Sequence, residues 1–240
     1  MRDLRERDRL YVTVDLLILT VRDGRLNLLL SRRKEEPYAR RWALPGRFVG
    51  QDESAEAAAE KLLQELLPVR GAFLEQLYTF SEVGRDPRGR VISTAYLVIV
   101  PRNRLDALEQ EAVTPFSRFE VREDANGLRL AGEDGTLLNG SDLAFDHSRI
   151  IGTGVARLRG KIDYTDVGFH FLNDLNAFSL GELQTVFEAV LGRKLDSSNF
   201  RRFIRNRYEE NGRLVLTDRE GRKKRGRPAS LYQLTETGGK

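Results

Sequence analysis

Residues 43–69 read ALPGRFVGQDESAEAAAEKLLQELLPV, and this stretch decides the fold. A Leu-Pro-Gly turn at 44–46 is followed, after a short loop, by alanines and leucines with the period of an amphipathic helix. Ser54 stands where a side chain caps the first turn of such a helix, and Pro68 cannot continue one. The stretch therefore predicts a turn, a loop and a helix over residues 54–67.

The segments around this stretch alternate between strand and helix patterns. An Arg-Asp-Gly turn at 22–24 joins two runs rich in Val, Leu and Ile, which indicates a hairpin. Asn126-Gly127 marks a second hairpin turn, and Asp146 stands near the start of another helix. The predicted strands lie at 11–20, 26–31, 73–80 and 91–100, and the later helix at 148–159.

The stretch 43–69 resembles the Nudix box, G-x5-E-x7-R-E-U-x-E-E-x-G-U, where U is a bulky aliphatic residue. In that family, helix glutamates at i, i+3 and i+4 share one face and hold Mg²⁺ against a diphosphate. Glu53 matches the loop glutamate of this pattern, and Glu65 matches one of the three helix glutamates. The chain departs from the pattern at Arg47, Lys61, Leu62, Leu66 and Pro68.

These departures bear on the chemistry that the resemblance implies. Leu62 and Leu66 stand where two metal-binding carboxylates belong, and a single remaining carboxylate binds Mg²⁺ poorly. We therefore expect a Nudix α/β/α sandwich with no catalytic residues, no metal site and no cofactor. Two alternatives stay open: an ordinary amphipathic helix in an unrelated α/β protein, and a Mg-dependent hydrolase of ADP-ribose with an accessory nucleic-acid-binding domain.

A Nudix fold without metal still offers a place for a nucleoside diphosphate. Arginine side chains bind phosphate oxygens through two hydrogen bonds, and several arginines fall in loops or at strand ends. The alternative is that these are ordinary surface arginines, that Asp86 and Asp146 serve turns and caps, and that His147 and His170 are structural. The candidate effector-binding residues are Arg32, Arg33, Trp42, Arg47, Arg85, Asp86 and Arg88.

The C-terminal part of the chain has a different pattern and charge. Residues 193–240 hold 14 Lys and Arg against 6 Asp and Glu, which favours binding to a polyanion. Ser179-x-x-Glu182 is a capping box, Gly192 ends that helix, and a second helix is predicted over 197–207. Strands at 213–217 and 230–234 flank a basic loop, so the order is that of a winged helix-turn-helix.

Two groups of residues in this part are candidates for DNA binding. Arginine and asparagine on a recognition helix read guanine and adenine in the major groove. Arg225-Gly226-Arg227-Pro228 resembles the core of an AT-hook, which inserts arginines into a narrow minor groove. A flexible solvated loop is the alternative for this second group. The candidates are Ser198, Asn199, Arg201, Arg202 and Arg205 on the helix and Lys223, Lys224, Arg225 and Arg227 in the loop.

The whole chain resembles the Nudix-related transcriptional regulators of the NrtR type. The most specific stretches are FDHSRII (145–151), LRGKIDY (158–164), the run 178–202 and GRPASLY (226–232). The resemblance implies an α+β protein with a Nudix-like effector domain over 1–160, a hairpin insertion at 117–140 and a winged helix over 161–240. It also implies a homodimeric repressor of double-stranded operator DNA that responds to ADP-ribose or a related nucleotide or sugar. An RNA-binding module is a further alternative.

The composition excludes several other classes of protein. The chain has no cysteine, which rules out disulfides, thiolate metal sites and a cysteine nucleophile. No segment approaches the roughly 18–20 apolar residues that span a bilayer, and the first residues mix charges. We therefore expect a cytoplasmic protein with no membrane partner.

Overall fold

The computed structural model describes residues 10–68, 71–110, 115–124, 127–220 and 229–235. Within these ranges a mixed sheet carries helices on both faces, and a helical unit with a two-stranded sheet follows it. The strands are β1 Tyr11–Arg22, β2 Arg25–Arg32, β3 Trp42–Ala43, β4 Gly46–Phe48, β5 Phe73–Phe80, β6 Val91–Ile99, β7 Ser117–Asp124, β8 Gly127–Gly132, β9 Leu137–Leu138, β10 Leu214–Glu220 and β11 Ser230–Leu234. The helices are α1 Ala55–Leu66, α2 Arg102–Gln110, α3 His147–Lys161, α4 Leu180–Leu191 and α5 Ser197–Ile204.

Strand β1 is the centre of the large sheet. The order of the strands is β5-β6-β1-β2-β7-β8-β9, with β1 parallel to β6 and antiparallel to β2. Residues 14–20 of β1 are all buried, because helices cover both faces of this strand. Val14, Leu16 and Ile18 pack on one face, and Leu17 and Leu19 pack on the other.

Helix α1 covers the first face of the sheet and forms where the sequence predicts it. Ser54 caps it, since its side-chain oxygen accepts a hydrogen bond from the Ala57 amide at 3.0 Å. Ala58, Ala59 and Leu62 are buried against β1 and β6. The sequence pattern did not indicate α2, β3 or β4, which are short or strongly polar.

The segment at 117–140 contains a hairpin of β7 and β8 and continues the large sheet, and its origin as an insertion stays a prediction. Strand β7 pairs with β2 through residues such as Phe119 and Leu28, and β8 and β9 follow in series. The predicted turn falls on Asn126-Gly127, and Asn126 lies outside the described residues. The hairpin is therefore hydrogen-bonded into the sheet, so its strands extend the domain.

Helices α4 and α5 begin and end at the residues that the sequence pattern indicates, with one exception. Ser179 and Glu182 form the capping box of α4, and Gly192 ends it with a φ of 68°. Asp196 caps α5. The second helix was predicted to run to 207, but the regular helix ends at Ile204 and a π-helical turn spans Arg205–Glu209.

The C-terminal unit shares its hydrophobic core with the large sheet. Leu183, Phe187 and Val190 of α4 belong to the same buried cluster as Leu17 and Leu28. The predicted boundary near residue 160 therefore separates two regions of sequence, while the packing is continuous across it. Within the described ranges, no helix is long and apolar enough to cross a membrane.

Candidate functional site

A cleft lined by arginines opens where β1, β4, the loop 84–90 and the start of α3 meet. Its volume is about 170 Å³. Strand β4 approaches β1 closely here, since a Cβ on Gly46 would lie 2.2 Å from Asp15 Oδ1, so only glycine fits. The lining residues are Thr13, Asp15, Arg33, Glu35, Leu44, Gly46, Arg47, Phe48, Arg85, Asp86, Arg88, Phe145 and His147.

A buried ionic network forms the floor of this cleft. The side chain of Arg85 is 4% exposed and binds Asp146 through two hydrogen bonds, Nε to Oδ2 at 3.0 Å and Nη2 to Oδ1 at 2.6 Å. Its Nη2 also lies 3.6 Å from Asp15 Oδ2, which accepts a hydrogen bond from the Ser93 hydroxyl. Arg85 thus balances the buried carboxylate of Asp15 and the partly buried carboxylate of Asp146.

The carboxylates of Asp86 and Asp146 each bind an arginine side chain, which goes beyond a role in turns or helix caps. Asp146 occupies the N-cap position of α3 but makes no capping hydrogen bond, because Arg85 holds its carboxylate. Burial by itself raises the pKa of Asp86, but hydrogen bonds from the Arg88 side chain and amide bring that pKa below its ordinary value. Asp86 therefore stays ionised, and both aspartates orient arginines.

Phe145 sits between two guanidinium groups at the mouth of the cleft. The Arg33 guanidinium lies 4.7 Å from the centre of its ring, and the Arg88 guanidinium lies 5.5 Å from it. Phe145 itself has a φ of 52°, which a side chain other than glycine rarely adopts. Burial, together with the charge of Arg88, lowers the pKa of Arg33. Two guanidinium groups against one ring concentrate positive charge at the mouth of the cleft, which favours a bound anion there.

Arg47 lines the same cleft and carries one buried hydrogen-bond donor without a partner in the part of the chain that the structure describes. Its Nη2 donates to Glu53 Oε1 at 3.0 Å, while its Nη1 is buried and has no hydrogen-bond partner among the described residues. Glu53 Oε1 also accepts from the Gly50 amide at 2.7 Å. Glu53, the loop glutamate of the Nudix pattern, is therefore paired with Arg47, which stands at the position of the first glycine of that pattern.

The face of α1 that carries metal ligands in Nudix enzymes is apolar here. Leu62 is buried, Leu66 is partly buried, and both pack in the cluster that contains Val14 and Tyr96. Glu65, the remaining helix glutamate, is exposed. No group of three or more His, Asp or Glu side chains that fits a metal ion occurs in the described ranges. The residues present do not fit a catalytic Mg²⁺.

His147 fixes the Leu-Pro-Gly turn from the start of α3. Its Nδ1 accepts a hydrogen bond from the Leu44 amide at 2.9 Å, and its Nε2 lies 3.6 Å from Asp15 Oδ1. Burial lowers the pKa of His147, so the imidazole stays neutral and keeps the free electron pair that accepts this bond. The interpretation of His147 as structural agrees with these contacts.

The structure brings together five of the seven predicted effector-binding residues. Arg33, Arg47, Arg85, Asp86 and Arg88 line the cleft.

Arg32 and Trp42 lie outside the cleft. The Arg32 guanidinium covers the indole of Trp42 at 4.7 Å, and both line a separate pocket of about 500 Å³ beside Phe119 and Arg118. Arg32 at the end of β2 pairs with Trp42 of β3, so their side chains lie on the same face of the sheet. Arg33, the next residue, lies on the side of the cleft.

Several residues of the cleft escaped the sequence analysis. In the sequence, Asp15 is a single charged residue inside an apolar strand. Phe145 belongs to the stretch FDHSRII, to which no binding role was assigned. A charged residue in a buried strand is a usable signal, because charge is buried only with a partner. The others that were not predicted are Thr13, Glu35, Leu44, Gly46, Phe48 and His147.

The exposed face of α5 and of the π-helical turn that follows it carries all five helix residues predicted to bind DNA. Ser198, Asn199, Arg201, Arg202 and Arg205 are exposed. Phe200 and Ile204 on the opposite side are buried in the core. The loop candidates Lys223, Lys224, Arg225 and Arg227 lie outside the described residues.

Family comparisons match both parts of the chain. A model of the NUDIX domain matches residues 10–129, and a model of the NrtR DNA-binding winged helix domain matches residues 168–234. Helix α3 lies between the two matched ranges. The predicted division at residue 160 falls in the same interval and stays a prediction.

Individual relatives share the same arrangement. The chain is 33% identical over 226 residues to the ADPR responsive transcriptional repressor NtrR of Acinetobacter baylyi, covering 93% of this chain and 81% of that one. It is 30% identical over 150 residues to an ADP-ribose pyrophosphatase of Methanocaldococcus jannaschii, covering 62% of this chain and 78% of that one. Shewanella oneidensis NrtR, in a crystal structure complexed with a 27mer DNA, is 30% identical, with a TM-score of 0.72 over 93% of both chains. The chain therefore belongs to the NrtR family of Nudix-related transcriptional regulators.

Proposed function

We propose that this protein is a repressor that binds operator DNA through α5 and the wing, and that it senses ADP-ribose or a related nucleotide without hydrolysing it. The observation that carries the proposal is the cleft. It gathers Arg33, Arg47 and Arg88, with Arg33 and Arg88 against the ring of Phe145, while the helix face that binds metal in Nudix enzymes is packed with leucine.

The chemistry of the cleft matches the charged part of such a ligand. Guanidinium groups bind phosphate oxygens through two hydrogen bonds, and the unpartnered Nη1 of Arg47 gains a partner when an anion enters. A volume of about 170 Å³ is below the roughly 300–1,000 Å³ of pockets for drug-sized ligands. The enclosed part therefore holds a diphosphate, and the rest of a nucleotide extends past the exposed ring of Phe48.

Helix α3 connects this cleft to the DNA-binding unit. Its first residue, His147, and the preceding Phe145 and Asp146 stand at the cleft. Near its other end, Arg159 Nε donates to the Val190 carbonyl of α4 at 2.9 Å. A ligand changes DNA affinity only when it prefers one arrangement of these parts over another. We propose that α3 carries that preference between the two sites.

Homodimerisation belongs to the same proposal. A palindromic operator presents the same half-site twice, and a dimer with twofold symmetry places one α5 in each half-site. Light scattering at several protein concentrations, with and without DNA, tests this point.

Hydrolysis of ADP-ribose is the second candidate function. The similarity to the pyrophosphatase of Methanocaldococcus jannaschii favours it. Against it stand Leu62 in the core, Leu66 beside it, and the engagement of Glu53 by Arg47. A single exposed Glu65 does not hold Mg²⁺ on a diphosphate.

The deciding experiment measures both activities in the same tubes. A gel shift at fixed salt uses DNA from upstream of the gene for this protein, with and without ADP-ribose and Mg²⁺, and each sample is assayed for AMP. We expect a sequence-specific shift that ADP-ribose weakens, with no AMP above the protein-free control. AMP production without a specific shift would establish the hydrolase instead.

Arg47→Ala tests the cleft itself. We expect ADP-ribose to bind about 10- to 100-fold more weakly, because charge-assisted hydrogen bonds to the anion are lost. DNA binding without ligand stays unchanged. Isothermal titration calorimetry gives the affinity, and the gel shift gives the DNA affinity.

Arg32→Ala is the matched control, since this exposed arginine lies in the separate pocket beside Trp42. We expect its ADP-ribose affinity to equal that of the unmodified protein. An equal loss in both variants would mean that charge in general, rather than the cleft, attracts the ligand.

A further inference from the structure

The buried residues Phe200 and Ile204 identify which side of α5 faces outward. Successive residues of a helix turn by about 100°, so the side opposite Phe200 and Ile204 carries Ser198, Arg202 and Arg205. Arg201 lies on one flank of this outward stripe and Asn199 lies on the other. Arg202 therefore stands in the middle of the surface that faces a DNA groove.

Three arginines lie on this face and differ in the side-chain contacts that they make: Arg201 and Arg202 of α5, and Arg205 in the turn that follows. Arg202 Nη2 donates to Asn199 Oδ1 at 2.9 Å. Arg205 Nε lies 3.9 Å from Glu209 Oε2, a loose and exposed ion pair. Arg201 makes no side-chain hydrogen bond or ion pair within the described ranges. Arg202 alone of the three has its guanidinium plane fixed by a neutral neighbour.

We infer that Arg202 reads a guanine in each operator half-site and that Asn199 is its positioning residue. Each Nη of a guanidinium carries two hydrogens, and the amide oxygen of Asn199 takes one hydrogen of Nη2. The other hydrogen of Nη2 and the two of Nη1 have no partner within the described ranges, and one hydrogen from each nitrogen can form a parallel pair. That pair matches the O6 and N7 acceptors of guanine in the major groove.

The neutral partner matters for this role. A carboxylate partner would compete with the base for the positive charge, whereas an amide orients the guanidinium and leaves it charged. Fixing the side chain before binding also reduces the conformational entropy that recognition must remove. The inference rests on the proposed function, since it requires that α5 enters the major groove.

Two other roles would leave different signatures. If Arg202 contacts only phosphate, its loss weakens binding to all sequences alike and lowers the salt dependence. If the Asn199–Arg202 bond only stabilises the helix, its loss changes thermal stability and leaves base preference unchanged. The ratio of affinities between sites that differ at one base pair separates these roles from guanine reading.

The experiment starts with selection of binding sites from random duplex DNA by the full chain. Each single base pair of the selected site is then replaced, and affinities are measured by fluorescence anisotropy at fixed salt. We expect at least one guanine whose replacement weakens binding of the unmodified protein by about 5- to 100-fold. Failure to select any site would overturn the proposed function and this inference together.

Four variants then locate the reading residue. Arg202→Lys reduces the preference for that guanine, since lysine lacks the planar pair of donors that arginine presents. Asn199→Ala reduces the preference by about threefold or more, whereas Asn199→Asp, which keeps the acceptor, retains it at lower overall affinity. Arg201→Ala weakens binding to every site equally and keeps the preference. Circular dichroism confirms that all variants are folded.

Unchanged base preferences in Asn199→Ala at every position of the site, with a selected operator in hand, overturn the positioning role while the proposed function stands. A uniform loss in Arg202→Lys overturns guanine reading in the same way.

Discussion

Replacing Arg85 by methionine lowers the free energy of unfolding by about 3–5 kcal/mol. The side chain is 4% exposed and lies between the carboxylates of Asp146 and Asp15. Methionine fills much of the same volume but leaves the buried charge of Asp15 and the partly buried charge of Asp146 without this cation. A charge that is withdrawn from water and loses its partner is costly. Urea denaturation followed by far-UV circular dichroism measures the loss.

A matched variant separates burial from charge. Arg149→Met removes an arginine that is half exposed and pairs with the exposed Glu82, so we expect a change within about 0.5 kcal/mol. The double variant Arg85→Met with Asp146→Asn should recover part of the loss, because one of the stranded charges is gone. A loss below about 1 kcal/mol in the single variant would show that the network contributes little.

Replacing Phe187 by alanine destabilises both parts of the chain at once. Its side chain is 1% exposed and contacts the rings of Phe200 and Phe203. A Cβ on Gly168 would lie 2.9 Å from it, so the packing around this ring is tight. Removing a buried phenyl group leaves a cavity and costs about 3–5 kcal/mol.

The fluorescence of Trp42 shows whether the large sheet loses stability together with the C-terminal unit. It is the only tryptophan of the chain and lies in the large sheet, while Phe187 lies in the C-terminal unit. Because one core cluster contains both Phe187 and the sheet residues Leu17 and Leu28, we expect Phe187→Ala to lower the urea midpoint of Trp42 fluorescence. An unchanged midpoint, with a second transition by circular dichroism, would show that the two parts unfold independently.

The control for this experiment is Val215→Ala on β10. Val215 is 46% exposed in the C-terminal unit, so its loss removes little buried surface. We expect both probes to give the midpoint of the unmodified protein within error.

The replacement of two helix glutamates by leucines changes what the first face of the sheet does. In Nudix enzymes that face holds charge and metal, whereas here it extends the apolar layer of Val14, Leu16 and Tyr96. Fully burying a leucine contributes roughly 1.5–3 kcal/mol. The polar groups of this domain gather in the cleft that contains Asp15 and the arginines.

Local features of the sequence predicted most of the secondary structure. The cap at Ser54, the capping box of Ser179 and Glu182, and the left-handed Gly192 all act within four residues of the chain. Such contacts form from neighbouring residues, so the sequence displays them directly. The exposed stripe on α5 also follows from helical period alone.

The sequence by itself determined most of the longer strands and helices, and that leucines stand at two of the metal-binding positions of the Nudix pattern. The tertiary structure decided which charges meet. Arg32 and Arg33 are adjacent in the chain, yet one covers Trp42 and the other stacks on Phe145. Asp15, Arg85 and Asp146 are far apart in sequence and join only when β1, the loop and α3 pack together. Local periodicity sets the face on which a side chain lies, but its partner across the cleft depends on long-range packing.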